Sequence, residues 1–403
     1  MKPLDKLNPN SKFKAVNAFI FAGSFSIGVM KAGFHLDRVL EISNTQPQEN
    51  AFYFMQNFDI PVILPDEWEN DEYLTSLKDV DLMCCNCPCS SLSQINRNAS
   101  VDGKNNVHFY RLFNIFKKVK PKIFVIENAP TLIKLGFPIL KDLVNQLSDQ
   151  YNFTILRDYA GNHEVAMKRL RTMVVGWNKD NFTEIPLIHQ DKQKQLTVKD
   201  VLSTIKSDVE DNFSKSCDSI KEMYQYALPN FSLMTGLAKQ CLRGTNKDNI
   251  INYMKNTKHY KELVRIMDRM SNNKNYWDKT PHKLEDDKLF PSFTSVNEYI
   301  HPHKNRCLNI KESAAIMGYP EEFDFSGKSN IPVYQAMAQG VPVNFGKYIA
   351  SQAKLALENK LPTVKGDIVF QHHIKHLYSI FDKEEFNNLE FLDVKKNSSK
   401  LVD

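Results

Sequence analysis

The 403-residue chain has no apolar run approaching the ~20 residues that span a bilayer. Its N-terminus, MKPLDKLNPN, lacks the apolar core of a secretory signal. A cytoplasmic protein is therefore expected, in a compartment where thiols stay reduced. The seven cysteines are odd in number and unevenly spread, which excludes a disulfide framework. Neither an internal repeat nor a low-complexity tract is present. A strong excess of one charge is missing too. The net charge is only +5, so a nucleic-acid partner would have to be met by a local basic face. With 42% hydrophobic and 25% charged residues, the composition is that of a globular protein.

The first third alternates strands and helices. The segment KAVNAFIFA is a short apolar run closed by Gly23, as expected of a buried parallel strand. SFSIGVMKAGF has helical spacing, DRVLEIS reads as a second strand, and QENAFYFMQNF as a second helix. DVDLMCC, PKIFVIENAP, YNFTILRDY and RTMVVGW are further strands. Between them, HFYRLFNIFKKV and LGFPILKDLVNQL are helices, the first with Phe109, Leu112, Phe113 and Phe116 on one face. This pattern predicts a doubly wound α/β sheet, whose ligands bind beyond the carboxyl ends of its strands. Gly23, Glu41, Cys89 and Glu127 all fall at or just past predicted strand ends. From about 180 to 300 the alternation stops and the chain turns rich in Lys, Asn and other polar residues. Beyond 300 two more helices are expected, in NIKESAAIMGYP and FGKYIASQAKLALENK, followed by a charged tail.

Four cysteines crowd into CCNCPC: Cys84, Cys85, Cys87 and Cys89. They stand too close together to close a zinc tetrahedron, so no metal is expected. A thioredoxin-like site needs its CxxC at a helix start, whereas this cluster ends a predicted strand. Cys84 and Cys85 read as small hydrophobes ending a buried strand. Cys89 follows Pro88 in a polar loop, where a thiol can serve as a nucleophile.

The stretch CNCPCSSLS resembles the Pro-Cys loop of the cytosine-C5 methyltransferases, which modify DNA with S-adenosylmethionine. Five further stretches recur in that family's order. NAFIFAGSFSIGVMKAGF is similar to its first strand, glycine loop and helix, and FVIENAP to its Glu-Asn strand end. VAMKRLRTMVVG is similar to its Arg-x-Arg strand. TSVNEYIHPHKNRCLNIKESAAIMGYPEEFDF and YQAMAQGVPVNFGKYIA resemble its late helix and closing helix. LTVKDVL matches a common element between the halves. The resemblance covers about 1–205 and 290–355. It implies a Rossmann-like S-adenosylmethionine-dependent methyltransferase domain with an inserted target-recognition lobe. The expected divisions are 1–205 and 291–358 for the catalytic domain, 206–290 for the lobe and 359–403 for a C-terminal extension.

The resemblance also implies roles. Cys89 would attack C6 of a flipped-out cytosine, and Glu127 would hold N3. Arg171 would contact O2, and Arg169 would brace Glu127 and the loop. Phe19, Gly23, Glu41, Asp66, Pro88 and Gln339 would bind the cofactor, with Asp66 alternatively capping the turn at LPDEW. Ser93, Arg243, Asn246, Lys258 and Lys261 would meet DNA, with Lys258 and Lys261 on a helix face against phosphates. Arg243 and Asn246, in a loop after AKQCL, would read base edges. The implied partners are double-stranded DNA and a cognate restriction nuclease, for a monomeric protein with no membrane partner. The competing readings are an RNA methyltransferase on the same scaffold and a non-catalytic nucleic-acid-binding relative. The sequence departs from the family at Phe21 and Ser24, which replace glycines, and at Asn86 and Cys87, which replace Gly-Pro. Ser90 and Met167 replace glutamines, and Ala338 and Gln339 replace Gly-Asn.

Overall fold

The computed structural model describes residues 2, 4–42, 51–93, 96, 98–189, 193–205, 218–276, 278, 280–293, 298–327 and 333–371, together with the backbone of 391–393. Cys217, the first residues of the second predicted helix and the late threonine of TSVNEY lie outside them. The chain forms two compact units, Met1–Gln195 with Met317–Asp403, and Leu196–Ile316. Among the described residues no helix is long and apolar enough to cross a membrane.

The first unit is built on one sheet. Its strands are β1 (Lys14–Ala18), β2 (His35–Leu40), β3 (Val62–Ile63), β4 (Leu82–Asn86), β5 (Ile123–Asn128), β6 (Tyr151–Tyr159) and β7 (Leu170–Asn178). Helix α1 (Ser24–Lys31) follows β1, α2 (Phe52–Asn57) and α3 (Pro65–Trp68) flank β3, and α4 (Val107–Val119) and α5 (Phe137–Leu147) flank β5. The sheet reads 3-2-1-4-5-7-6. All these pairs are parallel except those of β7, which runs antiparallel to β5 and β6. Every residue of β4 and β5 is buried, which is why both strands read as continuous apolar runs rather than alternating ones. The buried face of α4, with Phe109, Leu112, Phe113 and Phe116, packs into the core that also takes in Met83, Phe124 and Phe153. Phe116 stacks on Phe124 with centroids 4.0 Å apart.

The second unit has its own core around three helices, α6 (Leu233–Arg243), α7 (Lys247–Met254) and α8 (Tyr260–Ser271). Residues 291–316, expected in the closing part of the catalytic domain, belong to this unit.

The chain then returns to the first unit with α9 (Val333–Gln339) and α10 (Val343–Leu357). Helix α10 packs on α1 at backbone distance. A side chain at Gly28 would stand 2.6 Å from the Val343 carbonyl and the Lys347 nitrogen. The tail, expected as an extension of low pattern, supplies β8 (Ile368–Gln371), which adds in parallel beside β6, and β9 (Phe391–Asp393) beyond it. Gln371 fastens β8 by exchanging side-chain hydrogen bonds with the backbone of Ile188, at 3.0 and 3.1 Å.

Candidate functional site

The carboxyl ends of β1, β2, β4 and β5 line one edge of the sheet, and strand direction determines what joins them. Asn86 of β4 pairs in register with Glu127 of β5. Because β7 is antiparallel, its first residues meet the last residues of β5, with Asn128 opposite Thr172 and Glu127 opposite Met173. Arg171 thereby arrives beside Glu127, and its Nε lies 2.6 Å from Glu127 Oε1. Asn86 Nδ2 donates to the other oxygen, Oε2, at 3.0 Å. Glu127 is 5% exposed, so both oxygens of a buried carboxylate are held by donors. Asn128 Nδ2 donates to the Cys87 carbonyl at 3.0 Å and joins the two strand ends a second time.

The cysteines separate by environment. Cys84, Cys85 and Cys87 are buried, and burial pushes their thiols well up from the ordinary range. Cys89 stands in the loop past the strand and is half-buried, as is Pro88 before it. The loop turns back at once, with Leu92 N donating to the Cys89 carbonyl at 3.0 Å. Ser93, also half-buried, accepts from Asn96 N through its carbonyl at 3.0 Å. Arg169 is buried and its Nη2 donates to the Ala338 carbonyl at 3.1 Å, tying β7 to the end of α9.

Around the start of α1 the backbone is unusual. Gly23 occupies the helix cap with φ +82, where a side chain would stand 2.4 Å from the Phe54 ring. Phe19 and Phe21 have φ of +60 and +50, a conformation that costs an ordinary residue roughly 1–2 kcal/mol. Phe21 thus keeps a glycine-like turn without glycine. Phe19 is buried against Trp68 (centroids 6.4 Å) and His108 (5.8 Å).

Glu41 follows β2 and is fully buried. Its Oε1 accepts from Ile42 N at 2.6 Å, and its carbonyl accepts from Trp68 Nε1 at 2.8 Å. Arg111 reaches over from α4, 4.8 Å above the Trp68 ring, and donates to the Ile42 carbonyl at 2.8 Å. Asp66 lies exposed in the first turn of α3, where Leu64 rather than Asp66 takes the cap position. Gln339 ends α9. Its buried Oε1 has no hydrogen-bond partner among the described residues. A side chain on the next residue, Gly340, would meet Ser24 Oγ at 2.3 Å, so α9 ends against the start of α1.

Sequence reasoning missed Trp68, His108, Arg111 and the bonding role of Asn86. Trp68 lies two residues past the candidate Asp66, and Arg111 lies off the apolar face of its helix. Neither signal discloses that the two side chains stack.

In the second unit the basic stretch is three helices. Gly244, with φ +75, ends α6. Arg243 is therefore in the last helical turn, exposed, and not in a loop. Asn246 starts α7, and its amide donates to Gln240 Oε1 at 3.0 Å. Lys258 lies in the turn between α7 and α8, where Thr257 Oγ1 donates to the Met254 carbonyl, and not on a helix. Lys261 is on α8, and both lysines are exposed. Arg265 is taken by Glu262 at 2.6 Å, and Arg269 Nε by the Asn275 carbonyl at 2.6 Å.

Four imidazoles among the described residues, His108, His259, His282 and His301, are pushed down by burial and give the protein an acid-side dependence. Burial, then Arg111, pushes His108 down to about 4. Burial pushes His301 down to about 4, and its Nδ1 accepts from the backbone of His303 and Lys304 at 3.0 and 3.2 Å. In the unfolded chain these rings titrate near 6.5. Between pH 6.5 and 4 the unfolded state therefore binds the extra protons, and stability falls as the pH drops through that window. The urea midpoint is expected to be lower at pH 5 than at pH 7, and His108→Gln should reduce that difference. An equal difference in the variant would remove His108 from the explanation.

The fold is that of known methyltransferase structures. A putative DNA modification methyltransferase encoded within an E. coli prophage matches with a TM-score of 0.57 at 16% identity, over 86% of this chain and 100% of that one. The Entamoeba histolytica methyltransferase EhMeth matches with a TM-score of 0.52 at 12% identity, over 87% and 99%. Residues 13–355 match the C-5 cytosine-specific DNA methylase family, and the chain belongs to it. It is an enzyme of the DNA cytosine-C5 methyltransferase class. Among its relatives, the type II methyltransferase M.FnuDI of Fusobacterium nucleatum is 24% identical over 86% of this chain and 96% of its own length. M.Sau96I of Staphylococcus aureus is 25% identical over 86% and 76%.

Proposed function

We propose that the protein transfers a methyl group to C5 of a flipped-out cytosine in a specific duplex sequence, through a covalent adduct between Cys89 and C6. The observation that carries this reading is the junction of β4, β5 and β7. There the one half-exposed thiol of the cluster follows a strand whose last residue bonds to Glu127, and Arg171 holds the same carboxyl from the other side. Cytosine C5 is a poor carbon nucleophile. Addition of the Cys89 thiolate to C6 turns it into an enamine carbon, provided that N3 receives a proton or a strong hydrogen bond. Glu127, protonated as the base enters, supplies that proton, and Arg171 stabilises O2 of the adduct. Once C5 has taken the methyl group, loss of its proton to solvent expels Cys89 as the thiolate, and N3 returns its proton to Glu127. Extrusion of the base is required, because C6 is out of reach inside a stacked duplex.

S-adenosylmethionine supplies the electrophilic methyl group. Three features fit it: the Gly23 turn at the start of α1, the buried Glu41 carboxyl past β2, and the unpartnered Gln339 Oε1. Glu41 would meet the ribose hydroxyls and Phe19 the adenine. Asp66 would meet the adenine amine, with Pro88 completing the pocket. Arg169 acts by holding the end of α9 in place.

The names of the relatives support a place in restriction-modification beside a cognate nuclease. The second unit is read as the target-recognition lobe. Ser93 is assigned to the DNA, and Lys258 and Lys261 to phosphates. Arg243 is assigned to base readout, with Asn246 placing the start of α7 beside it. Expression in a host without cytosine methylation, followed by bisulfite sequencing, should show one reproducible protected motif. No protected cytosine would refute the function. On a randomised duplex library, Lys258→Ala should weaken methylation of all sequences alike and lower the salt slope by about one. Arg243→Ala should relax one position, at roughly 1–3 kcal/mol. The reverse pattern would overturn these two roles.

A further inference from the structure

Asn86 carries a bond that the chemistry just described does not use. It is the last residue of β4, three positions before Cys89, and is 2% exposed. Its amide nitrogen donates to Glu127 Oε2 at 3.0 Å, while Arg171 occupies Oε1 at 2.6 Å. A carboxyl turns easily about its terminal torsion, which is broad and roughly two-fold. One donor leaves that rotation open, whereas donors on separate oxygens fix the plane. The backbone beneath is secured independently. Asn128 bonds the Cys87 carbonyl, and Asn86 pairs with Glu127 in the ladder. Removal of the Asn86 side chain therefore frees the carboxyl without freeing the strand ends.

We propose that Asn86 is a positioning residue for methyl transfer: with Arg171 it fixes the plane of the Glu127 carboxyl, so that the group is aimed at N3 before the base arrives. This rests on the reading of Glu127 as the group that meets N3. Asn86 acts through Glu127. A glycine or alanine in its place has no donor. An aspartate has the same shape but sets an acceptor against an acceptor.

The test is a double-mutant cycle on single-turnover methylation of the duplex motif found by bisulfite sequencing. Asn86→Ala should lower the rate about 10–100-fold, the scale of a small misplacement of a reacting group. KM for DNA and for S-adenosylmethionine should stay within about twofold, the expectation for a group that acts only in the transition state. Asn86→Asp should fall at least as far. In a Glu127→Gln background the further loss on Asn86→Ala should disappear. Equal losses in both backgrounds would overturn the proposal, as would a change confined to KM. A second measurement needs no activity. The Glu127 carboxylate stretch, isolated as the infrared difference between the wild type and Glu127→Gln, should shift in Asn86→Ala and in Asn86→Ser. An unmoved band in both would refute the bond and the proposal. If the wild type methylates no cytosine, the function fails, and the infrared band alone decides whether Asn86 orients Glu127.

Discussion

Cys89→Ser is expected to remove methyl transfer, by as much as the ~10⁶-fold seen when a covalent catalyst loses its nucleophile, while binding of the duplex survives. Serine keeps the size of the side chain and lacks a readily formed anion. The same substitution at the neighbouring cysteines should not do this. Cys84 and Cys85 are buried in β4 against Asn17 and Ala18 of β1 and Val125 and Ile126 of β5, and burial pushes both thiols up, away from the reactive form. Cys84→Ala and Cys85→Ala should lower the melting temperature and leave the rate nearly intact. The measurement is a methyl-transfer assay beside a gel-shift assay on the same duplex. Near-normal turnover by Cys89→Ser would remove the covalent adduct from the mechanism.

Arg171→Ala should be the most destabilising single change at the site. The pair it forms with Glu127 is nearly dry, with side-chain exposures of 13% and 6%. Removing one partner of a buried ion pair typically costs about 3–5 kcal/mol, because the other charge is left uncompensated. Glu127→Gln takes the charge away instead. It leaves the Arg171 charge uncompensated in turn but keeps an acceptor for its Nε, so it should also lower stability, and it should reduce the rate by ~10²–10⁴-fold, the range for a lost general acid. The double replacement Arg171→Ala with Glu127→Gln should therefore be more stable than Arg171→Ala alone. Urea unfolding of the four proteins decides this. If Arg171→Ala unfolds at the wild-type midpoint, the ion pair is not holding the carboxyl. If Glu127→Gln retains its rate but loses cofactor binding, Glu127 belongs to the other pocket.

Much of this was legible in the residues. Apolar runs such as KIFVIEN and LMCC are buried on both faces of a sheet. That alone makes them continuous rather than alternating, so strands, helices and their order could be read before any coordinates. The family likeness rests on short motifs at strand ends, where local turns place Cys89, Glu127 and Gly23 with little help from distant residues. Other features depend on which strands become neighbours, and no local pattern encodes that. Arg171 meets Glu127 only because β7 runs antiparallel to β5. Asn86, a mere departure from the family in the sequence, becomes a donor to the same carboxyl only when β4 and β5 align in register. Phe21 stands where a glycine was expected, yet the turn is kept, because the packed loop imposes a left-handed backbone on a side chain that disfavours it. Arg243, read as a loop residue, ends a helix closed by Gly244, and Lys258, read on a helix face, falls in a turn, where the second unit folds three short helices onto their own core. The tail joins the sheet as β8 because β6 offers it an open edge. The sequence by itself determined the class of fold and the candidate groups, through local propensity and burial. The tertiary structure decided which of those groups share a bond, because that depends on strand direction and register between segments far apart in the chain.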